Sequence, residues 1–128
     1  MKLNYECLRE LLLTLEKELI MKDDLLYPQA FLEEMSQKMP DFSKADIVYT
    51  SIMANEAGLI RAKIINADDG VCDCIYFGLS YEGHQFLDTV RDEKIWQNTK
   101  NVLSKVGSVS LDIIKSVAAF AIRDFLHL

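Results

Sequence analysis

The sequence predicts a mainly α fold carrying a single β-hairpin, an α+β architecture. Three observations predict it: leucines recur at helical spacing near the N-terminus, Ser43 opens a well-marked third helix, and two β-rich runs flank Asp69-Gly70. With 128 residues, 50% of them apolar, the chain can bury a core without disulfides or a metal, so one domain over residues 1–128 is expected.

In the first element, from Asn4 to about Leu19, the residues Leu8, Leu11, Leu12, Leu15 and Leu19 share a face, and Glu6, Glu10, Lys17 and Glu18 fall opposite. Asn4 is its N-cap, and Met21-Lys22-Asp23-Asp24 marks its end. Pro28 suits the first position of a second helix that runs toward Met39 with Phe31, Leu32, Met35 and Met39 inward, and Pro40 stops it. Ser43 and Asp46 have the spacing of a capping box, with Phe42 placed to staple onto Ile47, so the third helix starts there. It runs to Ala57 because Gly58 can take the left-handed conformation that closes a helix. Its buried side stays open at this point: Ile47, Ser51 and Ala54 form one row, and Val48, Ile52 and Asn55 another.

Residues 59–66 and 72–79 read as the two strands of a hairpin. Strict alternation puts Ile75, Phe77 and Leu79 on one face of the second strand and Cys72, Cys74 and Tyr76 on the other. Ser80 caps a fourth helix with Phe86, Leu87 and Val90 in its apolar stripe, continuing past Trp96 toward Leu103 until Gly107 breaks it. The last helix, 111–128, carries a wide apolar face of Leu111, Ile114, Val117, Ala118, Ala121, Ile122, Phe125 and Leu126. No internal repeat or flexible linker divides the chain.

Fourteen basic residues against twenty acidic ones leave a net charge of −6, the wrong sign for a protein whose main task is to neutralise phosphates. Cys7, Cys72 and Cys74 suit neither a disulfide framework nor a zinc site, and with His84 and His127 elsewhere no metal or cofactor is expected. No export signal and no membrane-length apolar run is evident, so a cytoplasmic protein is expected.

Helix, helix, capped helix, hairpin, helix is the order of a winged helix-turn-helix, here a core over about 4–92 with a C-terminal helical extension over about 93–128. In that fold the third helix is the recognition helix and the hairpin is the wing. The segments Leu8-Arg9-Glu10-Leu11-Leu12-Leu13, Glu56-Ala57-Gly58-Leu59-Ile60, residues 79–92 from Leu79-Ser80-Tyr81-Glu82-Gly83 onward, and Gly107-Ser108-Val109-Ser110-Leu111-Asp112 resemble the bacterial and prophage family catalogued as domain of unknown function 2513. The resemblance spans nearly the whole chain. It implies a Firmicute or phage context and a winged-helix-like shape, and it brings no assigned reaction. Where that family usually has a Tyr-His pair, this chain reads Tyr49-Thr50.

DNA binding would use Thr50, Ser51 and Asn55 at base edges, with Lys44, Arg61 and Lys63 on phosphates. Against it, Asp41, Asp46, Glu56, Asp68, Asp69 and Asp73 outnumber those three cations between residues 41 and 79. The favoured reading is therefore a non-catalytic regulator or inhibitor that binds a protein partner of basic or nucleic-acid-binding type, with Asp68 and Asp69 among its contacts and DNA as the alternative partner. Ile114, Val117, Ala118, Ala121, Ile122 and Phe125 are the candidate contacts of a homodimer through the last helix. A general-base role for His84 would need a nearby carboxylate, for which Glu82 is the obvious candidate, but helix capping accounts for that segment. Trp96 reads as a core or interface anchor. No phosphate-binding loop, nucleophile elbow or dinucleotide fingerprint is present, and no enzymatic activity or membrane partner is expected.

Overall fold

The computed structural model describes residues 1–106 and 109–127. Along the chain run α1 (Tyr5–Glu18), β1 (Ala30–Phe31), α2 (Leu32–Lys38), α3 (Lys44–Glu56), β2 (Ile60–Ala67), β3 (Gly70–Leu79), α4 (Tyr81–Val90), α5 (Glu93–Leu103) and α6 (Leu111–Leu126). The fold is thus mixed, with six helices and a three-stranded antiparallel sheet of order β1-β3-β2 among the described residues. Helix α1 packs on α3, β3 and α4, so its leucine face forms the middle of the core. Cys7, Leu8, Leu11, Leu12 and Leu15 are all buried there.

The caps read from the sequence are in place. Asn4 accepts a hydrogen bond from Cys7 N, Ser43 from Asp46 N, and Ser80 from Gly83 N. Each satisfies a main-chain donor that the first turn of a helix leaves without an internal partner. Gly58 closes α3 at φ +77, as its position after Ala57 predicts.

Four expectations are corrected. Pro28 does not open a helix: the chain stays extended, Ala30 and Phe31 pair with Tyr76 and Ile75, and α2 begins only at Leu32. The free edge of β3 supplies the ladder, and Asp73 Oδ1 accepts from Leu32 N at 3.3 Å, which sets where the helix starts. Phe31, expected inward, consequently lies on the outer face of the sheet at 41% exposure.

The alternation expected in β3 also fails. Register shifts between Arg61 and Ala62 and between Ile65 and Asn66 leave Phe77 and Cys72 as the extra residues of two bulges. Each extra residue reverses the phase of the pleat. The inward series becomes Val71, Cys74, Tyr76 and Leu79, and Cys72 is exposed while Cys74 is buried.

The fourth helix does not continue past Trp96. It ends at Val90, and α5 begins after Asp92, whose side chain accepts from Lys94 N and Ile95 N. Arg9 of α1 binds the carbonyls of Val90 and Arg91 at 2.8 and 2.9 Å, satisfying the end of α4 from outside the helix. The break expected at Gly107 lies outside the described residues.

Finally, much of the apolar face of α6 is used within the chain. Ile114, Ala118 and Ala121 are buried as α6 packs on α4 and α5, and Val117 packs at the edge of the same cluster. Of the six proposed dimer contacts this leaves Ile122 half-buried and Phe125 exposed. Trp96 is a core anchor, 1% exposed, with Nε1 donating to Glu6 and Tyr5 set edge-on against its ring.

Candidate functional site

Helix α3 was the element with an undetermined face, and packing decides it. Ile47, Thr50, Ser51 and Ala54 point into the core and are fully buried. Ser51 Oγ donates to the carbonyl of Ile47 at 2.6 Å and lies 2.7 Å from the hydroxyl of Tyr76. Burial pushes the Tyr76 phenol well above its ordinary range, opposed by the bond to Ser51. Cys7 and Cys74 also have thiols raised by burial and stay neutral. Thr50 Oγ1 is buried without a well-formed hydrogen bond. Neither Thr50 nor Ser51 can reach a base edge, which corrects their assignment as partner contacts.

Asn55 is also occupied. Its Oδ1 accepts from Ala62 N at 3.1 Å, tying the last turn of α3 to the start of β2. Lys44 is exposed and ion-paired with Glu33 at 3.2 Å. The remaining proposed contacts stand on the hairpin, all exposed: Arg61 and Lys63 on the outer side of β2, Asp68 and Asp69 at the tip. The structure therefore splits the proposed set into a buried pair, a structural asparagine, and charges distributed over the β2–β3 hairpin and the first turn of α3.

What α3 turns outward is apolar. Val48, Tyr49, Ile52 and Met53 are half-buried and form a ridge between two open grooves. One groove, of about 730 Å³, runs between this ridge and Leu103, Val109 and Leu111, with the N-terminal residues Met1 and Leu3 on its wall. The other, of about 670 Å³, lies between the ridge and Leu32, Val71 and the exposed Cys72. Tyr49 lines both grooves. Sequence reasoning contained Val48 and Ile52 as one of two alternative rows but had no means to choose; Tyr49 and Met53 were missed because they extend that row only once its partner row is known to be inward.

The joint behind this ridge explains the two most recognisable glycine segments. Ser80 N donates to the carbonyl of Leu59 at 3.1 Å, and Ser80 Oγ donates to the carbonyl of Gly58. Gly83, in the first turn of α4, passes so close to the same strand start that a Cβ there would lie 1.9 Å from the Leu59 oxygen. Glu56-Ala57-Gly58-Leu59-Ile60 and Leu79-Ser80-Tyr81-Glu82-Gly83 are two halves of one backbone contact, and this packing accounts for them.

His84 sits beside α1, with Nδ1 3.8 Å from Glu16 Oε2; its carboxylate neighbour is Glu16, in place of the expected Glu82. Arg91 grips both oxygens of Glu16 at 2.7 Å and also reaches Asp88 at 3.1 Å. The Arg91 hydrogen bonds hold the Glu16 carboxyl below its ordinary range, against a weaker opposing effect of burial. This network clips α4 to α1. Among the described residues no helix is long and apolar enough to cross a membrane.

A family model described as "Hypothetical protein (DUF2513)" matches residues 2–110. A protein of Haemophilus influenzae that carries the name "Uncharacterized protein" is 32% identical over 127 residues, covering 98% of this chain and 99% of its own length. No solved structure matches the chain.

Proposed function

We propose that this chain, which belongs to the DUF2513 family of hypothetical proteins, is a non-catalytic winged-helix protein that acts by binding another protein through the outward ridge of α3. The winged-helix reading is supported by the element order α1-β1-α2-α3-β2-β3 and by the strand order β1-β3-β2, in which a short strand between the first two helices joins the hairpin. On that reading α3 holds the recognition position and the β2–β3 hairpin is the wing.

The observation that carries the choice of partner is the chemistry of that ridge. A helix that reads base edges presents donors and acceptors and is flanked by cations. Here Val48, Tyr49, Ile52 and Met53 face outward, Thr50 and Ser51 face inward, and the net charge is −6. Apolar and aromatic side chains beside concave surfaces are the usual anchors of a protein interface. The DNA-binding alternative draws its support from Arg61 and Lys63, exposed on one side of the wing.

Parallel affinity captures from host extract with the wild type and with Ile52→Glu test the proposal. A companion held at equal stoichiometry by the wild type and lost by the variant is the expected result. A companion retained equally by both, or none in any host, overturns it. A mobility-shift titration at low salt serves as the second arm: a tight shift that weakens with salt and disappears in the Arg61→Ala/Lys63→Ala double variant would replace protein by DNA as the ligand.

A further inference from the structure

The hairpin carries a second surface, independent of the α3 ridge. In the order β1-β3-β2 the strand β2 has one edge paired and one open. Ala62 N reaches Asn55 Oδ1, so the main chain of Ala62 points away from β3. Both bulges lie on β3, which leaves the alternation of β2 intact. Ile64 and Asn66 therefore point the same way as Ala62. Among the described residues no hydrogen bond engages the outward N–H or C=O of either.

Such an edge invites pairing with another strand, and charged side chains ordinarily deter it. Here the charges are sorted along the strand. Arg61 and Lys63 stand at its beginning and Asp68 and Asp69 just past its end. All are exposed, and none is in an ion pair among the described residues. A strand that is basic at one end and acidic at the other is complementary to an antiparallel copy of itself.

We propose that the protein self-associates edge to edge, β2 of one copy pairing antiparallel with β2 of a second copy about a two-fold axis at Ile65. One register uses what is free. Ile64 pairs with Asn66 of the second copy, and the reciprocal pair completes the ladder, which stops short of the Ala62 N–H already bound by Asn55. The same register sets Ile65 opposite Ile65 of the second copy and brings Arg61 toward the acidic Asp68-Asp69 turn of the second copy at each end. A parallel partner would bring like charges together, so the charges select this orientation as well as favouring it.

Sedimentation velocity reads the outcome. The wild type is expected at twice 14.6 kDa. Asn66→Pro removes an outward N–H that the pairing with β3 does not use, and is expected to give a folded monomer. Arg61→Asp sets like charges opposite each other at both ends of the ladder and is expected to weaken association by about tenfold. Adding Asp69→Arg to it is expected to restore the dimer, a rescue that damage to the fold would not produce. A wild type that remains at 14.6 kDa at millimolar concentration overturns the proposal, as does a dimer indifferent to both Asn66→Pro and Arg61→Asp.

Discussion

The two sides of α3 reverse the simple expectation of polar residues outside and apolar ones within. Inward, Thr50 and Ser51 are fully buried beside Ile47 and Ala54; outward, Val48, Tyr49, Ile52 and Met53 are left partly in solvent. The inward side works because its residues are small enough for α3 to approach α1 and β3 closely, and because Ser51 and Tyr76 satisfy one another. On the outward side only Val48 packs against the core cluster among the described residues. Burial here follows size and hydrogen-bond complementarity, and the apolar ridge remains available for contact with something else.

The largest break in this comparison should come from the joint that holds α3 and α4 in place. Gly83→Ala would drive a methyl group onto the Leu59 carbonyl, where the obstacle is backbone, and should cost about 3 kcal/mol or more in urea unfolding. A loss below about 1 kcal/mol would mean that the two segments separate easily.

Next comes the inward side itself. Ser51→Ala strands the Tyr76 hydroxyl in the core and should cost about 1–3 kcal/mol, whereas adding Tyr76→Phe should recover much of that loss. Thr50→Val removes a hydroxyl that has no well-formed hydrogen bond and should leave stability unchanged or raise it slightly. Opposite outcomes for two adjacent hydroxyls would sharpen the comparison; equal losses at both would refute the account of the buried cluster.

Ile52→Glu on the outward side, where the side chain is half-buried, should cost about 1 kcal/mol or less, below the losses expected at the joint and at Ser51. A large destabilisation would show that the ridge is part of the core. Smallest is the effect of acid on the clip between α1 and α4. The folded-state carboxyl of Glu16 is held below its ordinary 4.5, so its contribution is fully present above that pH and is lost as the pH falls through the lower folded value. Glu16→Gln should flatten that part of the stability profile between neutral and acid pH, and an unchanged acid limb would exclude Glu16 as its source.

Local signals are legible in the sequence alone. The caps at Asn4, Ser43 and Ser80, the Gly58 stop and the hairpin all follow from residues within a few positions of one another, since capping and turn chemistry act over that range. The candidate site was legible only in part. Arg61, Lys63, Asp68 and Asp69, named as candidate contacts, are exposed in the structure, but the α3 rows were ambiguous because apolar and small residues occur all round that helix.

Sequence by itself determined the element types along most of the chain, its acidic balance and the family resemblance, because each is written in residue identity and short-range spacing. Tertiary structure alone decided that Thr50 and Ser51 turn inward, that two bulges separate Cys72 from Cys74, that Ala30 and Phe31 join the sheet, and that Arg9 closes the end of α4. Each of those outcomes depends on a partner far away in the chain, and a hydrogen bond or a packing surface supplied from that distance leaves no periodic mark on the segment that receives it.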